Sequence, residues 1–179
     1  MIGALAVKRV LQGLRGMFDI VVVDCPSSFN EPTLAVLDEA DLILTLLTLE
    51  ITSVKNMRLF LEVCEQLGYG PDKIRLVLNR ADSTLGIRVA DVEHSIGRKV
   101  DHTIVSDGRS VVYALNRGVP FFLSNREAQV SQDIQRLALA VTGPAPSAAA
   151  TRPGDKPAKG AAKGAAKGAT KNKSLFAWR

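Results

Sequence analysis

Cysteine, histidine and aromatic residues are all scarce in this chain. Cys25 and Cys64 are the only cysteines among 179 residues, too few for a disulfide framework and in no metal-ligand spacing. This usage fits a reducing cytosol. His94 and His102 have no companions that would complete a metal site and are expected to face solvent, and neither lies near Cys25 in sequence, which argues against a nucleophilic cysteine. Cys64 reads as a helix-core residue. There is no N-terminal signal pattern and no apolar run long enough to span a bilayer. These absences point to a cytoplasmic protein, with peripheral attachment at the inner face of the cell membrane left open.

Acidic residues are nearly missing from the last part of the chain. Residues 143–179 hold eight Lys and Arg against the single acid Asp155, a net charge of +7, so the first 142 residues carry −2. The overall basicity therefore belongs to a tail and says nothing about nucleic-acid binding by the folded part. In that tail Pro144, Pro146, Pro153 and Pro157 stand among Ala and Gly, and Ala-Ala-Lys-Gly recurs at 161–164 and 165–168. Such composition predicts disorder. The expected organisation is thus a domain over 1–142 and a disordered Ala/Lys/Gly/Pro-rich basic tail over 143–179. The tail ends with Leu175, Phe176 and Trp178 between Lys173 and Arg179. Six lysines with terminal apolar residues suit an anionic membrane surface. They also suit DNA or RNA phosphates, or a solubilising segment that binds nothing in particular.

What the chain does contain is alternation. The run Ile20 to Val23 predicts a strand buried on both faces, as in a parallel sheet under helices, ending on Asp24 with Pro26 barring simple continuation. A helix is expected before it, to Met17. Another follows, opened by Asn30 or Glu31 with Pro32 in its first turn. Leu42–Leu49 predicts a second buried strand. Thr52 or Ser53 is expected to cap a long helix stopped by Gly68. Lys73–Leu78 predicts a third strand, Ile87–Ile96 a helix ended by Gly97, and Thr103–Val105 a fourth strand. A helix over Ser110–Arg117, an extended connection over 119–122 and a closing helix over Ser124–Val141 complete the pattern. The fold class is α/β: a mainly parallel sheet with helices on both faces and right-handed crossovers.

In such a sheet the loops after the strands converge on one edge, where open α/β folds bind ligands. Three polar loops qualify: Asp24 to Glu31, Asn79-Arg80-Ala81-Asp82, and Ser106-Asp107-Gly108-Arg109. Asp24 reads as a Walker B-type carboxylate, or as a polar residue ending a strand. Asp107 also suits the N-cap of the next helix.

Together these stretches resemble the C-terminal part of a ParA/MinD-type P-loop ATPase of the deviant Walker A group, over about residues 15–141. Phe18 to Asp24 resembles the Walker B strand, with Cys25-Pro26-Ser27-Ser28 in the place of switch II. Ala40-Asp41-Leu42-Ile43-Leu44 resembles the strand that follows, Leu78-Asn79-Arg80 the adenine-side motif, and Tyr113 to Pro120 the helix ending in Asn-x-Gly-x-Pro. Leu85-Gly86-Ile87, Val92-Glu93 and Ile96 to Val100 are most similar to the CpaE/TadZ-like branch of pilus-assembly proteins.

The resemblance implies ATP and magnesium as cofactors: Asn79, Arg80, Ser106 and Asp107 on the nucleotide side, and Asp24 as an outer-sphere magnesium partner. It also implies a positional or assembly role, with a homodimer or partner chain and pilus-assembly machinery as partners. No Lys-Gly-Gly-x-Gly-Lys-Thr loop occurs in the sequence. The expectation is an incomplete P-loop NTPase-like domain without autonomous ATPase activity: a gene fragment, a late-start gene model, or a half that needs a partner. Two other classes stay in view. One is a non-catalytic scaffold tethered by the basic tail. The other is a receiver-like phospho-acceptor domain, against which stand the missing early acidic pair and the absence of Thr/Ser and Lys where Asn79-Arg80 lies.

Overall fold

The computed structural model describes residues 3–82 and 87–143. Every described element lies within the compact unit Met1–Ala145. Helix α1 (Ala4–Arg15) leads through a segment without helix or strand into α2 (Glu31–Glu39). Strand β1 (Ile43–Leu47), α3 (Ile51–Gln66), a 3-10 turn (Pro71–Lys73) and β2 (Ile74–Asn79) follow. Then come α4 (Val89–Ile96), β3 (His102–Ile104), α5 (Gly108–Arg117), α6 (Phe121–Ser124) and α7 (Gln129–Thr142). The tail expected from 143 onward, apart from Gly143 itself, lies outside the described residues.

The three strands form one parallel sheet in the order β1-β2-β3. Leu76, Val77 and Leu78 of β2 are fully buried, which makes this strand the centre of the core. One face of the sheet carries Ile43, Leu47, Ile74, Leu76 and Leu78, packed against Leu37 of α2, Val54, Met57 and Cys64 of α3, and Val92 of α4. The opposite face carries Val77 and Ile104 against Val130, Ile134 and Leu137 of α7. The α/β class and the parallel sheet are as the sequence predicts, and each strand is followed by a helix on one face or the other.

Several local expectations hold for physical reasons. Asn30 caps α2 by accepting from the Thr33 amide at 2.9 Å, with Pro32 in the first turn where no N–H is needed. Gly97 and Gly118 end α4 and α5 in the left-handed conformation, φ 72° and 63°, which costs a glycine nothing. Cys64 is fully buried.

Others need correction. The run Ile20–Val23 is not a strand of the sheet, and it is not buried: Ile20 is 58% and Val22 82% exposed. No backbone hydrogen bond among the described residues involves 19–25, so the segment has no ladder to join. Strand β1 is buried on one face only, since Leu44 and Leu46 are exposed. Neither Thr52 nor Ser53 caps α3. Glu50 holds the N-cap position, and the Ser53 hydroxyl instead accepts the Thr48 amide at 2.9 Å. The connection expected to be extended over 119–122 is partly helical, because Pro120 supplies the fixed φ that starts α6. A turn at 125–128 then separates α6 from α7, so the closing helix begins at Gln129. His102 is half-buried at the start of β3, whereas His94 is exposed.

Candidate functional site

The C-terminal ends of β2 and β3 lie side by side, because Asn79 is the register partner of Ile104. Beyond them the two loops are tied together. The Ala81 amide donates to the Ile104 carbonyl at 3.0 Å, and the Ser106 amide donates to Asp82 Oδ1 at 2.6 Å. Asn79, Arg80, Ser106 and Asp107 are thus gathered at one sheet edge from two separate stretches of sequence. Asp82 was legible only as a loop residue. Its role as the clip between loops depends on the strand register, which periodicity does not give.

Each of these side chains has a defined setting. Asn79 Oδ1 accepts the amide of Arg80 at 3.0 Å. Its side-chain N–H groups have no partner among the described residues, so the amide can still present donors at the edge. Arg80 has φ 56°, the one non-glycine residue with positive φ among those described. An arginine held there is uncommon, and it turns the chain sharply off the end of β2. Asp107 Oδ1 caps α5 by accepting the Ser110 amide at 2.9 Å, and these bonds to Ser110 hold its carboxyl below the usual range.

The loop from Asp24 is separate. The Ser28 amide donates to the Pro26 carbonyl at 2.8 Å, and Phe29 stacks on Phe60 of α3 at 5.4 Å between ring centroids. Among the described residues no hydrogen bond joins residues 24–30 to 79–82 or to 105–107. Burial pushes the Cys25 thiol up, and the neighbouring Asp24 charge adds to it. A thiol so held is protonated at neutral pH and is a poor nucleophile. The receiver-like alternative gains no support from this edge either, since β2 ends in Asn79-Arg80 without a hydroxyl or lysine.

As a test of fit, the edge at β2 and β3 offers amide and hydroxyl groups suited to a purine. No group of three His, Cys, Asp or Glu side chains among the described residues could hold a metal ion. Two clefts are present elsewhere, of about 440 Å³ between α3 and α4 and about 310 Å³ between α1 and α2. Neither is lined by the candidate residues.

This arrangement has solved counterparts. A ParA family ATPase from Chlorobium tepidum superposes with a TM-score of 0.72 at 24% identity, covering 77% of this chain and 57% of its own. The fold is the ParA/MinD fold. MinD in the MinC:MinD cell division complex of Aquifex aeolicus matches with a TM-score of 0.68 at 18% identity, over 80% of this chain and 61% of that one. MinD from Pyrococcus horikoshii, solved with Mg-ADP, matches with a TM-score of 0.63 at 19% identity, over 75% and 55% of the two chains. In sequence the chain is similar to the septum site-determining protein MinD of Bacillus subtilis, 28% identical over 146 residues, 77% of this chain and 53% of that protein. It is likewise similar to MinD of Thermotoga maritima, 21% identical over 141 residues, 76% and 51% of the two proteins. These similarities support the ParA/MinD superfamily as the one to which this polypeptide is related. No protein-family model matches the chain. The chain spans about half the length of the curated relatives it matches.

Proposed function

We propose that this polypeptide is the base-recognition part of a ParA/MinD-like positioning protein, of the CpaE/TadZ-like pilus-assembly type, and that by itself it does not hydrolyse ATP. The observation that carries the reading is the clip between the β2 and β3 loops, which sets Asn79 beside Ser106 and Asp107 at the edge of a ParA/MinD fold. The Asn79 amide would donate to a purine ring acceptor, Arg80 would lie over the base, and Ser106 and Asp107 would close the other side. Asp24 would act on magnesium through water, given a phosphate-binding loop to hold the metal, and the 179 residues contain none. MinD of Pyrococcus horikoshii with Mg-ADP lends support by analogy of fold.

Titration with a fluorescent ADP analogue tests the purine reading. Weak binding that Asn79→Ala lowers about tenfold is expected, a loss of about 1.4 kcal/mol. Equal affinity in wild type and variant overturns it. A steady phosphate release abolished by Asp24→Ala would overturn the absence of hydrolysis.

The tail favours a second reading, as a tether. Its net charge of +7 and its terminal Leu175, Phe176 and Trp178 suit an anionic inner membrane face. Among the described residues no helix is long and apolar enough to cross a membrane. Sedimentation with phosphatidylserine-containing vesicles should retain the full chain and not a 1–142 truncation. Equal sedimentation removes the membrane tether, and retention by DNA instead moves the assignment to nucleic acid.

A further inference from the structure

Helix α5 carries two stripes on its outer side. Ala114 is its one buried residue and marks the inner side. At about 3.6 residues per turn, Arg109, Tyr113 and Arg117 recur along one flank of the outer face, and Val112 and Leu115 lie along the other. Val112 and Tyr113 are each 55% exposed, and Leu115 is 74% exposed. A surface helix ordinarily turns its large apolar residues toward the core. Val119, just beyond the helix, is exposed too and lengthens the apolar stripe.

A second observation concerns charge. Between Asp107 and Glu127 the sequence holds Arg109, Arg117 and Arg126 and no carboxylate. Among the described residues neither Arg109 nor Arg117 pairs with an acid. Arg117 is nonetheless held in place. Its Nη1 donates to the Tyr113 hydroxyl at 2.5 Å, and its guanidinium lies 5.3 Å from the centre of the Tyr113 ring. A guanidinium so held keeps further N–H groups to donate and has less freedom to lose when a carboxylate meets it. Tyr and Arg are also the residue types that most often dominate binding energy at protein interfaces.

We infer that the outer face of α5 is a docking site for an amphipathic helix of a partner protein, one whose apolar stripe is bordered by Asp or Glu. Its apolar side chains would pack on Val112, Leu115 and Val119, and its carboxylates would meet Arg109 and Arg117. Charge complementarity selects this occupant. Antiparallel pairing with a second copy would set one arginine stripe against the other, and parallel pairing would set it against Val112 and Leu115. Nucleic acid would leave those two apolar side chains against phosphate. An anionic bilayer is met by free, snorkelling cations, whereas Arg117 is tied to Tyr113. The inference does not rest on nucleotide binding.

The test is an NMR titration of the isotope-labelled full chain with three probes. The first is a stapled helical peptide of about 18 residues with Leu along one stripe and Glu at its borders. The second is the same peptide with Lys for every Glu. The third is vesicles of phosphatidylglycerol and phosphatidylcholine. The Glu peptide should shift the amides of 109–119 and bind at least about tenfold more tightly than the Lys peptide. Leu115→Asp should weaken it at least about tenfold, and Arg117→Glu should reverse the preference between the two peptides. Both positions are exposed, so both variants should fold and leave the Leu76 and Leu78 amides protected from exchange. The basic tail is intact in every variant, so these losses report the face and not the tail. No shift of 109–119 by the Glu peptide overturns the inference. So does equal affinity for the two peptides, or a Leu115→Asp variant that binds as wild type does. Shifts of 109–119 by vesicles that Leu115→Asp abolishes, with none from the Glu peptide, assign the face to a membrane instead.

Discussion

The amide of Ser106 donates to the carboxylate of Asp82 across 2.6 Å, and this bond fixes the loop after β3 against the loop after β2. Both groups are exposed, so its contribution to global stability is small. Asp82→Ala should cost about 0.5–1.5 kcal/mol in urea unfolding. Its larger effect should be local: faster exchange of the Ser106 amide and weaker binding of a fluorescent ADP analogue. Asp82→Asn keeps an oxygen acceptor and should restore most of both. If Asp82→Ala weakens neither amide protection nor nucleotide binding, the clip has no part in the site.

Arg80 separates backbone strain from side-chain function. Its φ of 56° lies where glycine is at ease and a β-branched residue is not. Arg80→Gly should be neutral or stabilising by up to about 1 kcal/mol, and Arg80→Val destabilising by more than about 1 kcal/mol. If the guanidinium covers a purine base, Arg80→Gly should weaken nucleotide binding although the protein is no less stable. Unchanged binding would make Arg80 a turn residue alone.

The exposed face of β1 offers an internal control on the core. Leu76 of β2 is fully buried at the centre of the sheet, and Leu46 of β1 is not. Leu76→Ala should lose about 2–5 kcal/mol through transfer and cavity terms. Leu46→Ala should stay within about 0.5 kcal/mol in the isolated chain. A large loss at Leu46 would mean that this face is already covered.

The α/β class could be read from the chain because its cues are local. Asn30 with Pro32 opens a helix, Gly97 and Gly118 close two others, and β2 is an apolar run buried on both faces. Residues 20–23 have the same β-branched composition as a buried strand, yet Ile20, Val22 and Val23 are exposed and the run is unpaired. Composition reports that a segment suits a sheet, not that a neighbour is present to bond it. The same limit applies to the candidate site. Asn79 and Asp107 were visible as strand-end and cap residues, but the Asp82–Ser106 clip spans 24 positions and depends on register. Helix α6 was missed because Pro120 reads as a breaker in an extended connection, whereas it stands at the N-cap of Phe121–Ser124, and the closing helix starts only at Gln129 after the turn at 125–128.

Asp133 gives the fold a predictable dependence on acid. Its carboxylate is buried at 4% exposure on α7. It accepts the Val105 amide at 3.0 Å and the Gln129 side-chain amide at 2.9 Å, and it pairs with Arg136. Burial alone would raise its pKa. The bonds from Val105, Gln129 and Arg136 together outweigh that and hold it below the usual carboxylate range. A carboxyl with a lower pKa folded than unfolded contributes stability that is complete above the unfolded value, about 3.9. That stability disappears as pH falls through the folded value. Wild type should therefore exceed Asp133→Asn in stability at pH 7, with the gap constant down to about pH 5 and closing below about pH 4. Asp133→Ala also leaves the Val105 amide without its acceptor, a further cost of about 1–3 kcal/mol that does not vary with pH. Urea midpoints of the three proteins between neutral pH and acid decide it. A gap between wild type and Asp133→Asn that persists unchanged in acid would show that the carboxylate charge does not hold α7 to the end of β3.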